Sequence, residues 1–310
     1  MTKEIPKGIE HNNEDKRYAT IEAVAEYRAK RLKCNTLIEI GCGIGMQTRS
    51  FARTCKKVIA IDNDERKIQL AIKNVKAKNV EFRCAEGIAE LNKLEGDTVF
   101  CDPERPESES IRTVQTLNPN PIELLNICNK KNMQFAVELP PQIKYIPFDC
   151  EKEYISWKGK LNRLTAYTGN LKKAETSAVE LPQEQRIQGK PDSAKKGEPD
   201  KYLSEISPAV VKAGLAYLFG KTSTDGKAQY SINLIKNPHI INTYKIITRC
   251  QEEEIIPELK KHHIGTVLLR TRIPPEKYWD ERKRIESQLQ GNKKAVLIKI
   301  NELFYICEPI

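Results

Sequence analysis

The stretch Glu39-Ile40-Gly41-Cys42-Gly43-Ile44-Gly45-Met46 decides the reading of this chain. It closes an apolar run, Thr36 to Ile40, and opens at once into a helix-like pattern from Met46 to Thr54. Glycines at alternate positions give the backbone access to positive φ and let a ligand approach with no Cβ in the way. A strand, a glycine turn and a helix in this order build a nucleotide-like ligand site at the carboxyl end of a parallel sheet. The spacing is G-x-G-x-G, whereas dinucleotide binders carry G-x-G-x-x-G with a helix terminus facing a pyrophosphate. Glu39, two residues before the first glycine, would repel a pyrophosphate and suits a cationic ligand.

Two more strand ends carry acids. The run Lys57 to Ile61 ends in Asp62-Asn63-Asp64, about twenty residues on, where a carboxylate can accept both hydroxyls of a ribose. The run Val80 to Cys84 leads into Ala85-Glu86-Gly87, where an acid can meet an adenine amine. S-adenosylmethionine has an amino group, a sulfonium centre, a ribose, an adenine and no phosphate, and so fits all three positions. The competing reading is three ordinary strand-capping turns.

At this point the sequence resembles the class I S-adenosylmethionine-dependent methyltransferases. Glu39 with Gly41, Gly43 and Gly45 matches the family's first motif, with Cys42 inside it. Asp62, followed by Asn63, matches the ribose-binding acid, and Glu86 stands at the adenine-side acid. The resemblance implies S-adenosylmethionine as cofactor and an α/β, Rossmann-like sheet of seven largely parallel strands with helices on both faces.

Transfer chemistry is expected after the fourth strand, in Val99-Phe100-Cys101-Asp102-Pro103-Glu104-Arg105-Pro106. Amino-methylating relatives read D/N-P-P-Y/F/W here: the acid or amide holds an exocyclic amine and the aromatic ring stacks on the base. Positioning the nitrogen in line with the methyl group is most of such catalysis. An aspartate can also take the amine's proton. Asp102-Pro103 keeps the first half of the motif, but Glu104-Arg105 replaces the Pro-aromatic pair. Arg105 can stack its guanidinium on a base or grip a phosphate. The D-P-x-R form also resembles the loop of uracil C5-methyltransferases, which need a cysteine nucleophile in a separate motif. No Ser/Cys-Asn-Pro triplet occurs in this chain. A second loop, Val137 to Lys144, follows the fifth strand at the same sheet edge; Lys144 is a candidate phosphate contact and Tyr18 a candidate for base stacking.

Composition bounds the rest. At 310 residues the chain is long enough for two domains. No apolar run reaches the roughly 18 residues needed to span a bilayer, and the polar amino terminus does not read as a signal peptide. Its stretch His11 to Asp15 reads as a loose surface segment. Nine scattered cysteines without a C-x-x-C pair argue against a zinc site or disulfide framework, and the four histidines add no metal-ligand spacing. A reducing, cytoplasmic setting without a metal or a membrane is the expectation. The net charge of +10 is unevenly spread: Lys201 to Ile310 holds 18 Lys and Arg against 12 Asp and Glu. A basic module of this kind suits a phosphate backbone.

Along the chain, residues 17–33 predict a helix, and Ile155–Lys158 with Leu161–Thr168 an antiparallel pair turning at Gly159-Lys160. From Gln183 to Pro199 apolar residues thin out, which predicts a linker over 183–200. Beyond it, Ser207-Pro208 predicts a helix from Ala209 to Phe219. Helices over Glu252–His262 and Pro274–Gln290 then alternate with strands Tyr244–Cys250 and Gly265–Arg272. A hairpin of Lys294–Ile300 and Leu303–Cys307 closes the chain. The run Tyr202 to Leu215 resembles the opening of the THUMP-like domain, found carboxy-terminal to methyltransferase domains; its name reflects an RNA-binding fold. The domains expected are thus 1–182, an α/β methyltransferase-like domain, and 201–310, a small α+β domain. The function expected is methylation of an RNA base (tRNA or rRNA), with an exocyclic amine such as guanine N2 as a candidate acceptor. Protein or small-molecule methylation, and a non-catalytic RNA-binding protein that keeps the pocket, are the alternatives.

Overall fold

A computed structural model describes residues 5–105, 113–271 and 273–310. Pro106 of the candidate loop and Arg272 at the end of an expected strand lie outside them. The chain divides into two compact units, the first ending at Gln188 and the second beginning at Gly189.

The first unit opens with α1 (Asn13–Tyr18) and α2 (Glu22–Arg31). Strands and helices then alternate: β1 (Thr36–Ile40), α3 (Met46–Thr54), β2 (Lys57–Asp62), α4 (Glu65–Asn74), β3 (Val80–Cys84), α5 (Gly87–Leu91), β4 (Thr98–Cys101), α6 (Pro121–Lys130) and β5 (Gln134–Leu139). Four strands follow, β6 (Glu151–Trp157), β7 (Lys160–Tyr167), β8 (Thr176–Leu181) and β9 (Gln185–Gly189). All nine form one sheet in the order β3-β2-β1-β4-β5-β7-β6-β8-β9. β1 to β5 run parallel, and β7 is antiparallel to both β5 and β6. The order reverses at β1, between β2 and β4, which is where such sheets open a crevice at their carboxyl ends. The architecture is the Rossmann-like one expected, with two strands more than the seven predicted. β8 extends the run Val179 to Leu181, and β9 falls inside the segment expected as a linker. The remainder of that segment is tied by Thr222 N–H to Lys195 O at 2.8 Å and Gly197 N–H to Thr222 O at 3.0 Å. Backbone hydrogen bonding thus supplies there what the sparse apolar residues do not.

The amino-terminal helix departs from expectation. His11 to Asp15 is no loose segment: Asn12 caps α1 in a reciprocal capping box with Asp15, which is buried against Arg66 at 2.9 Å. The predicted single helix over 17–33 is two, because Ile21 takes an extended conformation and its carbonyl starts α2 by accepting from Val24 and Ala25. That break packs Ile21 with Val24 and Tyr27 against Ile155 and Val179.

The second unit contains β10 (Tyr202–Ile206), α7 (Pro208–Lys212), β11 (Thr222–Thr224), β12 (Gln229–Ser231) and β13 (Ile240–Cys250). It continues with α8 (Ile255–Lys261), β14 (Ile264–Arg270), α9 (Tyr278–Glu286), β15 (Lys293–Ile300) and β16 (Leu303–Pro309). Its sheet order is β11-β12-β10-β13-β16-β15-β14. The helix expected to reach Phe219 stops at Lys212: Gly214, at φ 70°, turns the chain, and a 3-10 turn follows over Ala216–Phe219. Alternation along β15 feeds two cores, Ala295 and Leu297 joining Leu259 and Ile285, Val296 and Ile298 joining Tyr230 and Tyr244.

Candidate cofactor and transfer site

The glycine turn takes its shape from close approaches. Gly41 (φ 80°) and Gly45 (φ 86°) are both left-handed, and a Cβ on Gly41 would lie 2.6 Å from the Asp102 carbonyl oxygen. A Cβ on Gly45 would lie 2.7 Å from the Val75 side chain. Gly43 (φ 54°) differs, because a Cβ there would meet nothing within 4 Å. The open side of the turn is therefore at Gly43. Its N–H donates to Asp62 Oδ2 at 2.8 Å, and Asp64 N–H donates to Oδ1 at 3.0 Å. A carboxylate has about four acceptor sites, so two remain at Asp62 for hydroxyl donors. Asp62, Asn63, Glu86 and Asp102 line one cleft beside Gly41.

Two of the expected site acids sit in settings that the sequence did not specify. Glu86 caps α5, accepting from Ile88 N–H at 3.0 Å and Ala89 N–H at 2.7 Å. Glu39 is 1% exposed in the central strand β1, and its Oε2 has no partner among the described residues. Burial pushes its carboxyl up to about 8, and the nearby Thr48 hydroxyl offsets this only in part. In the free protein Glu39 is thus protonated at neutral pH, not the anion its position in sequence suggests. A cation at the turn draws it back toward ionisation. Cys42 is buried and its thiol is held well above the ordinary range by desolvation.

Asp102 lies at the tip of β4, with its N–H on Ile40 O at 3.0 Å and Pro103 buried behind it. Desolvation, reinforced by Glu138, pushes its carboxyl up to about 7 against the pull of Arg163, Arg28 and Arg105. β4 and β5 pair through Cys101 and Val137, so Asp102 and Glu138 follow at neighbouring strand ends. Glu138 is gripped by Arg28 at 2.6 Å and Arg163 at 2.8 Å. Arg28 is fully buried, bonds Gln47 at 2.8 Å, and lies over the Phe100 ring at 4.6 Å. Two arginines and a glutamate thus form a buried charge cluster behind Asp102. Sequence reading missed Arg28, Gln47, Glu138 and Arg163 as a group. The available signal was Glu138 itself, an acid inside the apolar run of β5, just as Glu39 is inside β1.

The rest of the loop is exposed. Glu104 pairs with Lys67 at 3.0 Å and its backbone forms a bridge with Asn118, drawing the segment before α6 over the cleft. Arg105 is exposed. Lys144 is exposed beside Tyr145, which is 73% exposed. Tyr18 ends α1 under the Arg17 guanidinium, 5.4 Å from its ring centre, and is exposed. Among the described residues no group of three or more His, Cys, Asp or Glu is placed to hold a metal, and no helix is long and apolar enough to cross a membrane.

With this geometry in place, residues 37–104 match a family model described as "Methyltransferase domain". The first unit carries a methyltransferase domain. Its cofactor is S-adenosylmethionine, and the open glycine turn, the half-used Asp62 and the free Oε2 of the buried Glu39 fit its ribose and amino group. The solved structure of a Porphyromonas gingivalis protein, described provisionally as a methyltransferase, is similar over 96% of this chain and 83% of its own. The two are 13% identical with a TM-score of 0.75, so the likeness is one of fold. Smaller matches include a precorrin-8w decarboxylase from Methanobacterium thermoautotrophicum, at 16% identity over 48% of this chain and 89% of that one with a TM-score of 0.33. Another is a Streptococcus mutans protein in complex with SAH, also described provisionally as a methyltransferase, at 16% identity over 47% and 95% with a TM-score of 0.32.

Proposed function

We propose that the methyltransferase methylates a base in RNA (tRNA or rRNA), with an exocyclic amine such as guanine N2 as the acceptor and Asp102 as the group that orients it. The observation that carries this reading is the half-buried Asp102, its backbone packed on Gly41 and its carboxyl held near a neutral pKa at the edge of the cofactor cleft. S-adenosylmethionine, when bound, supplies a methyl group on a sulfonium sulfur, whose transfer leaves the amine with one proton in excess. Asp102 accepts a hydrogen bond from that amine and takes its proton. Pro103 stiffens the turn that presents the carboxyl. Glu39 and Asp62 hold the amino group and ribose, with Asn63 beside them, and Gly41, Cys42, Gly43 and Gly45 form the turn beneath. Glu86 combines helix capping with a place at the adenine edge.

RNA is the substrate class favoured by charge. The final third is the more basic part of the chain, and Arg105 and Lys144 stand exposed on the loops after β4 and β5. Arg105 takes the place of the stacking aromatic of amino-methylating relatives, and Tyr18 is the outlying candidate for a base contact. The second unit fits a THUMP-like module that presents the RNA. One observation favours a second reading, a non-catalytic RNA-binding protein: Glu104, where relatives carry proline, is engaged with Lys67. The two readings separate on incubating the protein with methyl-labelled cofactor and total RNA, followed by nucleoside analysis. Label in a single modified nucleoside supports the proposal. Label in protein, or none despite cofactor binding, contradicts it.

A further inference from the structure

We propose that Cys34 and Cys55 form a redox-modification site, which a two-electron oxidant of the peroxide or disulfide class closes into a reversible disulfide. Cys34 lies between α2 and β1, and Cys55 caps the carboxyl end of α3. Their sulfurs are 3.9 Å apart. A disulfide needs about 2.05 Å between sulfurs, so a side-chain movement of under about 2 Å joins them. Cys34 is half-buried and gives the oxidant a route in, whereas Cys55 is 5% exposed and is reached through its partner.

The two thiols act on each other. A hydrogen bond from Cys34 draws the Cys55 thiol down to about 6 and raises Cys34, so one proton is shared and one sulfur has thiolate character. The neighbouring Thr54 hydroxyl, 3.7 Å from Cys55 Sγ, adds to this. Thiolate is the reactive form toward peroxide and disulfides. With hydrogen peroxide, one sulfur attacks the O–O bond and becomes a sulfenic acid while hydroxide leaves. The second sulfur then displaces the sulfenic hydroxyl and forms the S–S bond. Two thiols and one peroxide thus give one disulfide and two waters, the thiols losing two electrons in all. The ring so closed contains β1, the glycine turn and α3, which fastens together both flanks of the cofactor loop. This inference stands first on the placement of the two thiols and is independent of the substrate.

The test uses the full chain, treated with hydrogen peroxide or with glutathione disulfide, alkylated and digested for mass spectrometry. The expected product is a linked peptide pair holding Cys34 and Cys55, two hydrogens lighter than the free dithiol. Both sites lose alkylation together and regain it with dithiothreitol. In the Cys34→Ser chain, Cys55 enters no intramolecular cross-link. The proposal is overturned if Cys34 and Cys55 stay fully alkylatable while the exposed Cys84 is oxidised. It is equally overturned if Cys55 cross-links as readily in the Cys34→Ser chain.

Discussion

At the scale of single residues, the buried Glu39 and the half-buried Asp102 are moved from their ordinary titration range, and each move predicts a measurement. Glu39 titrates near 8 when folded and near 4.5 when unfolded, so between these values the folded chain holds a proton that the unfolded chain has lost. Stability therefore falls as pH rises through that window and levels off above it. Glu39→Gln removes this slope in chemical denaturation and leaves the free protein more stable at pH 8 than the parent, while weakening cofactor binding by about tenfold or more. Cofactor binding also expels a proton from Glu39 near neutral pH. Calorimetry in buffers of different ionisation enthalpy reads that release directly, and buffer-independent heats would contradict it. Asp102, with a pKa near 7, gives a transfer rate that rises with pH through that value. Removing the like charge next to it with Glu138→Gln shifts the midpoint of the pH–rate profile down, since Arg28 and Arg163 then act on Asp102 alone.

At the scale of elements, the glycine turn and the helix that braces it have different sensitivities. Gly43→Ala meets open space in the free protein, so its main cost is at a left-handed φ and in the room left for ligand, whereas Gly45→Ala also collides with Val75. Gly45→Ala is expected to lose more stability than Gly43→Ala in thermal melts, and Gly43→Ala to lose more cofactor affinity than stability. α2 is anchored from the far side by Arg31, which pairs with both Glu151 and Glu153 and lies over the Tyr167 ring at 3.7 Å. Arg186 of β9 reaches the same two acids. Arg31→Ala leaves buried carboxylates short of a cation and is expected to cost about 3–5 kcal/mol in denaturant titration. A loss under about 1 kcal/mol would contradict the burial of that network.

The elements also show why some of the sequence was legible and some was not. β1 to β5 and the glycine turn were readable because apolar runs, glycines and strand-end acids are local signals. The antiparallel pair β6 and β7 was readable from its glycine, but the turn falls one residue earlier than the expected Gly159-Lys160, at Lys158 (φ 49°) and Gly159 (φ 71°), which both take positive φ. β9 was not, since its five residues carry few apolar side chains and are held by the sheet edge and by Arg186 on Glu151 and Glu153. The Arg28–Glu138–Arg163 cluster was not either. Its members come from α2, β5 and β7, far apart in sequence, and only the acid in an apolar strand hinted at it. Glu86 as a helix cap was one of the two readings left open, because a cap and a ligand acid look alike in sequence.

At the scale of the whole molecule, the proposed function needs the cofactor domain and the basic second unit to act on one RNA. If RNA is held through phosphate contacts, the logarithm of affinity falls linearly with the logarithm of salt concentration, by roughly 0.7 per contact on a single strand. Filter binding across a salt series reads that slope, and a flat response would remove the electrostatic argument for RNA. The narrower proposal is that Asp102 orients an RNA amine for methyl transfer at the S-adenosylmethionine site. Its most direct test is single-turnover transfer of a deuterated methyl group to total RNA by the parent chain and by Asp102→Ala, read by nucleoside mass spectrometry beside cofactor calorimetry. The expected result is one deuterated nucleoside with the parent, at least about a hundredfold slower formation with Asp102→Ala, and cofactor affinity within about twofold in both. Equal rates in the two chains, or a label that never enters RNA, would contradict it.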